Sequence, residues 1–270
     1  MQSILRPVLL GIAVLLAGSI PWMILAGINL KVSPAIPWSA AVMGAYLFFY
    51  WRFLQATPAR RAHLRANAVP VRGWIWCLAA FVFGFIAINE IKCVFNTLLS
   101  VPPSPIPDIA KLPVASLLVY LVMVALVAAV TEEASFRGFM QGPIERTHGP
   151  FTAILITGIV FWGCHVGSFA GQFRYFFLYV WYFLATSALV GVMAWLTNSI
   201  LPSLAAHAAG DFVYTLLSIW AFTRGVNIEK TAFGSPAFYA AVAIPFAAIP
   251  LTIWAFRQVS RKRENPVLAA

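Results

Sequence analysis

Two adjacent carboxylates, Glu132 and Glu133, stand within the long apolar run LVMVALVAAVTEEASFRGFMQGPIER from Leu121 to Arg146. No other feature restricts the fold so tightly. Hydrocarbon penalises a carboxylate at mid-membrane by roughly 2.5–3.5 kcal/mol even on the lenient insertion scale, so an intramembrane acid marks a functional site whose partners should be sought.

That the run lies in a membrane follows from the rest of the chain. Of its 270 residues 61% are hydrophobic and 10% charged, with a mean hydropathy of +0.86, far more apolar than a soluble domain of this length. The formal charge of +10 does not indicate nucleic-acid binding. The basic residues sit in short clusters between apolar runs, as in the cytoplasmic loops of membrane proteins. Cys77, Cys93 and Cys164 lie in apolar stretches at unrelated spacings, so they read as small core residues rather than a disulfide framework or a CxxC site.

The sequence predicts an all-α polytopic fold of about eight transmembrane helices. The first run, Pro7 to Ile28, is longer than the roughly 7–15 residues of a signal-peptide core and reads as a retained span. The second is Pro37 to Leu54. A loop with Arg60, Arg61, His63, Arg65 and Arg72 follows and is expected to be cytoplasmic. The third span, Trp74 to Phe95, carries Glu90 and Lys92 near its end, where they are expected to snorkel. It leads into the proline-rich VPPSPIPDIAKLP, which cannot be helical. The fourth span starts at Val114 and holds the glutamates; the fifth is Pro150–Phe169, the sixth Tyr175–Leu196, the seventh Pro202–Phe222 and the eighth Ala237–Phe256. A tail with Arg257, Arg261, Lys262 and Arg263 closes the chain, so both basic clusters agree with cytoplasmic N and C termini. The regions are 1–112, a three-helix part with the proline-rich loop; 113–222, the core helices; and 223–270, the last helix and tail. No internal repeat is visible, which disfavours common transporter architectures.

With the loops set aside, the acids and histidines at membrane depth are Glu90, Glu132, Glu133, His165, His207 and Asp211. Residues four apart share a helix face while neighbours diverge by about 100°. Glu133 can therefore pair with Arg137 as a structural ion pair, and Glu132 points elsewhere as the freer acid. Phe161 shares a face with His165, and His207 with Asp211. If the chain turns at Thr147–Pro150, Glu132 lies ~21 Å before the turn and His165 ~22 Å after it, at matching depths.

Such a constellation suits hydrolysis. A carboxylate in a low-dielectric site can act as a general base, and a histidine can share or orient the same water. Glu132 and His165 fit these roles, and His207 is the available oxyanion donor. Alternatively, Glu132, His165 and His207 can ligate a divalent metal such as zinc. There is no HExxH motif, and the only aspartate besides Asp211 is Asp108, in the proline-rich loop. Nothing around Ser168 signals a nucleophile.

The pattern Glu132-Glu133-x-x-x-Arg137, then Phe161-x-x-x-His165, then His207-x-x-x-Asp211 resembles the CaaX-protease and bacteriocin-processing (CPBP, or Abi) family of intramembrane endopeptidases, relatives of the Ras-converting enzyme. The stretch Asn198-Ser-Ile-Leu-Pro-Ser203 is similar to the family's lead-in to its third motif. The resemblance covers Val114 to Tyr214. It implies a peptide-bond hydrolase opening to the cytoplasm, with Glu132 and His165 activating water and His207 with residue 211 stabilising the oxyanion. Asp211 departs from the asparagine often found there: an amide donates to an oxyanion, whereas an ionised aspartate repels it. Either Asp211 is protonated, or it orients His207, or a metal accepts its charge. Members of the family are described both as metalloproteases and as metal-independent glutamate proteases. The expectation is an endopeptidase of a bacterial cytoplasmic membrane, its partners being membrane lipids and a peptide or membrane-associated protein substrate. The competing expectations are a non-catalytic scaffold or immunity-type protein and a transporter or metal carrier.

Overall fold

The computed structural model describes residues 4–102, 108–169 and 172–260. Arg261, Lys262 and Arg263 of the expected tail, and residues 103–107 of the proline-rich connection, lie outside the described residues. Helix accounts for 84% of the structure, with no strand among the described residues. The α-helices are α1 (Leu5–Val32), α2 (Trp38–Leu54), α3 (Pro58–Leu64), α4 (Val71–Leu98), α5 (Val114–Glu132), α6 (Gly142–Cys164), α7 (Phe173–Leu178), α8 (Val180–Thr197), α9 (Leu201–Phe222) and α10 (Pro236–Ser260). Among the described residues, five stretches are long and apolar enough to cross a membrane: Leu5–Val32, Val71–Leu98, Val114–Cys164, Val180–Thr197 and Pro236–Val259.

The longest of these is not one rod. Gly149 has φ 81° and ψ 165°, a backbone that breaks the helix inside α6, and Pro150 follows it. Positive φ favours glycine, and proline permits the helix to restart. Had the helix run straight, Glu132 and His165 would stand ~50 Å apart at 1.5 Å per residue. They instead line one cavity, so the chain reverses within the expected Thr147–Pro150 turn.

Between α5 and α6 the chain is π-helical over Glu133–Gln141, and every residue of that segment is buried. Regular α-helical geometry does not describe it, because i→i+5 bonding widens the turn and shifts carbonyls out of register. Neighbouring elements hold the segment in place. Ser135 Oγ donates to the Gly11 carbonyl at 2.7 Å, and Arg65 donates to the Arg137 carbonyl at 2.5 Å. Close approach needs small residues: a Cβ on Gly11 would lie 3.2 Å from the Ser135 carbonyl oxygen, and one on Gly138 3.2 Å from that of Leu64. Thus α1 and α3 clamp the segment from two sides, while α5 packs on α9 and α6 on α8.

Four local expectations change. The basic loop contains α3, capped by the Thr57 side chain on the Arg60 amide, and Arg65 is buried in a 3.1 Å ion pair with Glu145 rather than solvated. Lys92 does not snorkel; it turns inward to Glu229 at 2.7 Å and Tyr214 Oη at 3.2 Å. The fifth span ends as an α-helix at Cys164 and continues as a 3-10 turn, while the sixth is divided at Tyr179. Cys77 and Cys93 are buried, but Cys164 is exposed.

Candidate active site

The residues of the three motifs come together from α5, the π-helical segment, α6 and its end, and α9. Glu132, Arg137, Phe161, His165, His207 and Asp211 line one cavity of about 220 Å³. Tyr182 and Phe183 of α8 and Phe81 and Phe85 of α4 complete its walls.

The two glutamates diverge as the helical arithmetic requires. Glu133 is fully buried, 3.2 Å from the Arg137 guanidinium. That guanidinium also donates to the Ser187 carbonyl and hydroxyl, both at 3.1 Å, tying the segment to α8. Glu132 keeps 18% of its side chain accessible and faces the cavity, 3.8 Å from His207 Nε2.

Sequence reasoning placed Glu133 with Arg137 alone. In the structure Glu133 also accepts from His207 Nδ1 at 2.9 Å, so it orients the histidine of the third motif as well as neutralising the arginine. A partner 74 residues away is not legible from the spacing of a single helix. On its other side, His207 Nε2 lies 3.3 Å from Asp211 Oδ2, the one-turn pair expected from the spacing. Asp211 is the most open of these groups, with 41% of its side chain accessible.

His165 follows the last residue of α6, and its backbone continues into a tight turn. Its Nδ1 lies 2.7 Å from the Phe161 carbonyl. A carbonyl oxygen only accepts, so Nδ1 carries the hydrogen, and Nε2 is the acceptor of the neutral ring. The ring is held between Phe161 and Phe183, at centroid distances of 4.5 and 4.6 Å. Phe161 therefore packs the site and supplies the carbonyl that sets the histidine's tautomer.

A second polar cluster, absent from the sequence reading, braces α9 below the site. Glu229 accepts from Lys92 at 2.7 Å and from Tyr214 Oη at 2.8 Å, and Tyr214 follows Asp211 by three residues, on a neighbouring part of the same face. Asn96 donates to the Glu229 carbonyl at 3.0 Å. The cluster joins α4 and α9 to the 223–235 connection.

The expected metal ligands Glu132, His165 and His207 line the same cavity. Among the described residues no three His, Cys, Asp or Glu side chains are grouped to hold an ion. Nδ1 of each ring is held from behind, His207 by Glu133 and His165 by the Phe161 carbonyl, a second shell common to metal-bound and metal-free histidine sites. The arrangement offers an acid and two imidazoles anchored in this way, all facing one cavity.

Comparison with known families gives one match. Residues 114–213 match the family described as type II CAAX prenyl endopeptidase Rce1-like, the stretch from the start of α5 into α9 that carries all three motifs. Searches of curated proteins and of solved structures gave no match.

Proposed function

From an Rce1-like type II CAAX prenyl endopeptidase match that spans every motif residue, we propose that this membrane protein is an endopeptidase that hydrolyses peptide bonds with a water activated by Glu132 and His165. The observation that carries the reading is the convergence of Glu132, His165, His207 and Asp211 on one cavity.

In this mechanism the scissile carbonyl enters the cavity and a water sits between Glu132 and His165. Glu132 takes the proton as general base, and His165 Nε2, left as an acceptor by the Phe161 contact, fixes the second hydrogen of the water. Attack forms a tetrahedral oxyanion. His207 donates to it from Nε2 while Glu133 holds Nδ1, a preorganised donor of the kind that contributes roughly 2.7–4 kcal/mol to such steps. Proton return from Glu132 to the leaving amine completes the cleavage. Asp211, 3.3 Å from Nε2, aims that nitrogen and yields its place as the oxyanion forms. Of the three roles open to this aspartate from sequence, orientation of His207 fits the geometry best.

The substrate class is a peptide or the tail of a membrane-associated protein. The test is mass spectrometry of peptide products formed by the purified full-length protein in H2-18O. Wild type places 18O in each new C-terminal carboxyl, and His165→Ala forms no product. Full cleavage by His165→Ala, or metal transport without cleavage, would discard the reading.

A further inference from the structure

A groove separate from the catalytic cavity runs between α1 and α2 with a volume of about 510 Å³. Leu10, Val14 and Ala17 form its wall on α1, at a spacing that keeps them on one helix face, and Tyr46, Tyr50 and Phe53 form the wall on α2. Both tyrosines have their hydroxyls engaged: Tyr46 donates to the Ala17 carbonyl at 2.6 Å and Tyr50 to that of Val14 at 2.9 Å. The walls are accordingly apolar, and the exposed Leu10 and Phe53 leave the groove open. From Leu10 to Ala17 it is ~10 Å long at 1.5 Å per residue.

One end is charged. Arg60 of α3 lines the groove, its guanidinium 3.9 Å from the Phe53 ring centroid and donating to the Phe53 carbonyl at 3.1 Å. This bond uses one of five guanidinium donors. One turn along α3, His63 lies in the field of Arg6 and Arg146, and Arg60 is the basic residue that lines the groove itself. The nearby acid, Glu145, is paired with Arg65.

An apolar slot with a cation at one end is complementary to an amphiphile with a chain and an anionic head. A zwitterionic lipid supplies the chain without net charge, and free phosphate supplies the charge without the chain. We propose that the α1–α2 groove binds one anionic phospholipid, its acyl chain between the two helices and its phosphate on Arg60. Phe139 of the π-helical segment forms the groove floor, so the lipid braces the segment that carries Glu133 and Arg137.

Native mass spectrometry of the full-length protein, titrated with dioleoylphosphatidylglycerol or dioleoylphosphatidylcholine, tests the site directly. The first phosphatidylglycerol should bind about fivefold more tightly than phosphatidylcholine, equivalent to ~1 kcal/mol for one cation at the head. Arg60→Gln should bring the two lipids to equal affinity. Ala13→Phe, which fills the groove from α1 without touching α3, should weaken the first adduct of either lipid. Equal binding by wild type, a phosphatidylglycerol preference that survives Arg60→Gln, or a first adduct of unchanged affinity in Ala13→Phe overturns the proposal. The second variant keeps the test decisive should the first fail to fold.

Discussion

Glu133→Gln preserves shape and removes one buried charge, and the structure sets the size of its effect. Glu133 is fully buried, with its Oε1 3.2 Å from Arg137 and 2.9 Å from His207 Nδ1. Removing one member of a buried pair costs roughly 3–5 kcal/mol, because the partner charge stays behind unpaired. Arg137 keeps its bonds to Ser187, which places the expected loss near the lower end, about 3 kcal/mol. Glu132→Gln changes the adjacent residue by the same atoms, but Glu132 faces the cavity and its nearest cation is His207 Nε2 at 3.8 Å. For so long a contact the expected loss is about 1 kcal/mol or less. Reversible unfolding in mixed dodecyl maltoside and SDS micelles, followed by circular dichroism, measures both variants on one scale. Equal losses, or a larger loss for Glu132→Gln, would refute the division of the two glutamates into one that holds the site and one that faces substrate.

Three further outcomes follow from groups outside the cavity. Arg65→Gln should lower stability by roughly 3–5 kcal/mol, since Arg65 joins Glu145 to the Arg137 carbonyl; thermal unfolding with and without the variant checks it, alongside the turnover lost as the π-helical segment loosens. Burial, then Arg146 and Arg6, hold His63 below its ordinary value of 6.5. Its neutral form therefore contributes stability that is full above 6.5 and is lost as pH falls from 6.5 towards the lower folded value. His63→Gln should flatten that slope of melting temperature against pH. Lys92→Met should slow cleavage by releasing Glu229 and Tyr214, and exchange of the pair as Lys92→Glu with Glu229→Lys should recover part of the rate; a double variant no faster than the single one contradicts a bracing role.

How much of this was legible in the sequence depends on the range of each interaction. The motif residues were visible because a charge in an apolar run is costly wherever it sits, and the i,i+4 pairs Glu133–Arg137 and His207–Asp211 follow from helix geometry alone. The reversal at Gly149 was legible from the turn residues beside it. The π-helical register was not, because the Arg137 carbonyl within it is satisfied by Arg65, which lies 72 residues away in sequence. Lys92 and Glu229 are separated by 137 residues, and Glu229 lies in a polar connection where an acid draws no notice. The same limit concealed the bond from Glu133 to His207, which turned a supposed structural acid into a positioning residue for the site.

The central claim is that Glu132 performs chemistry and supports no fold. The turnover number of Glu132→Gln, measured on protein shown by unfolding to be as stable as wild type, tests it most directly. The account predicts a fall of at least about 10²-fold, the lower range for loss of a general base, with substrate affinity little changed. Turnover within threefold of wild type by a folded Glu132→Gln protein would contradict it.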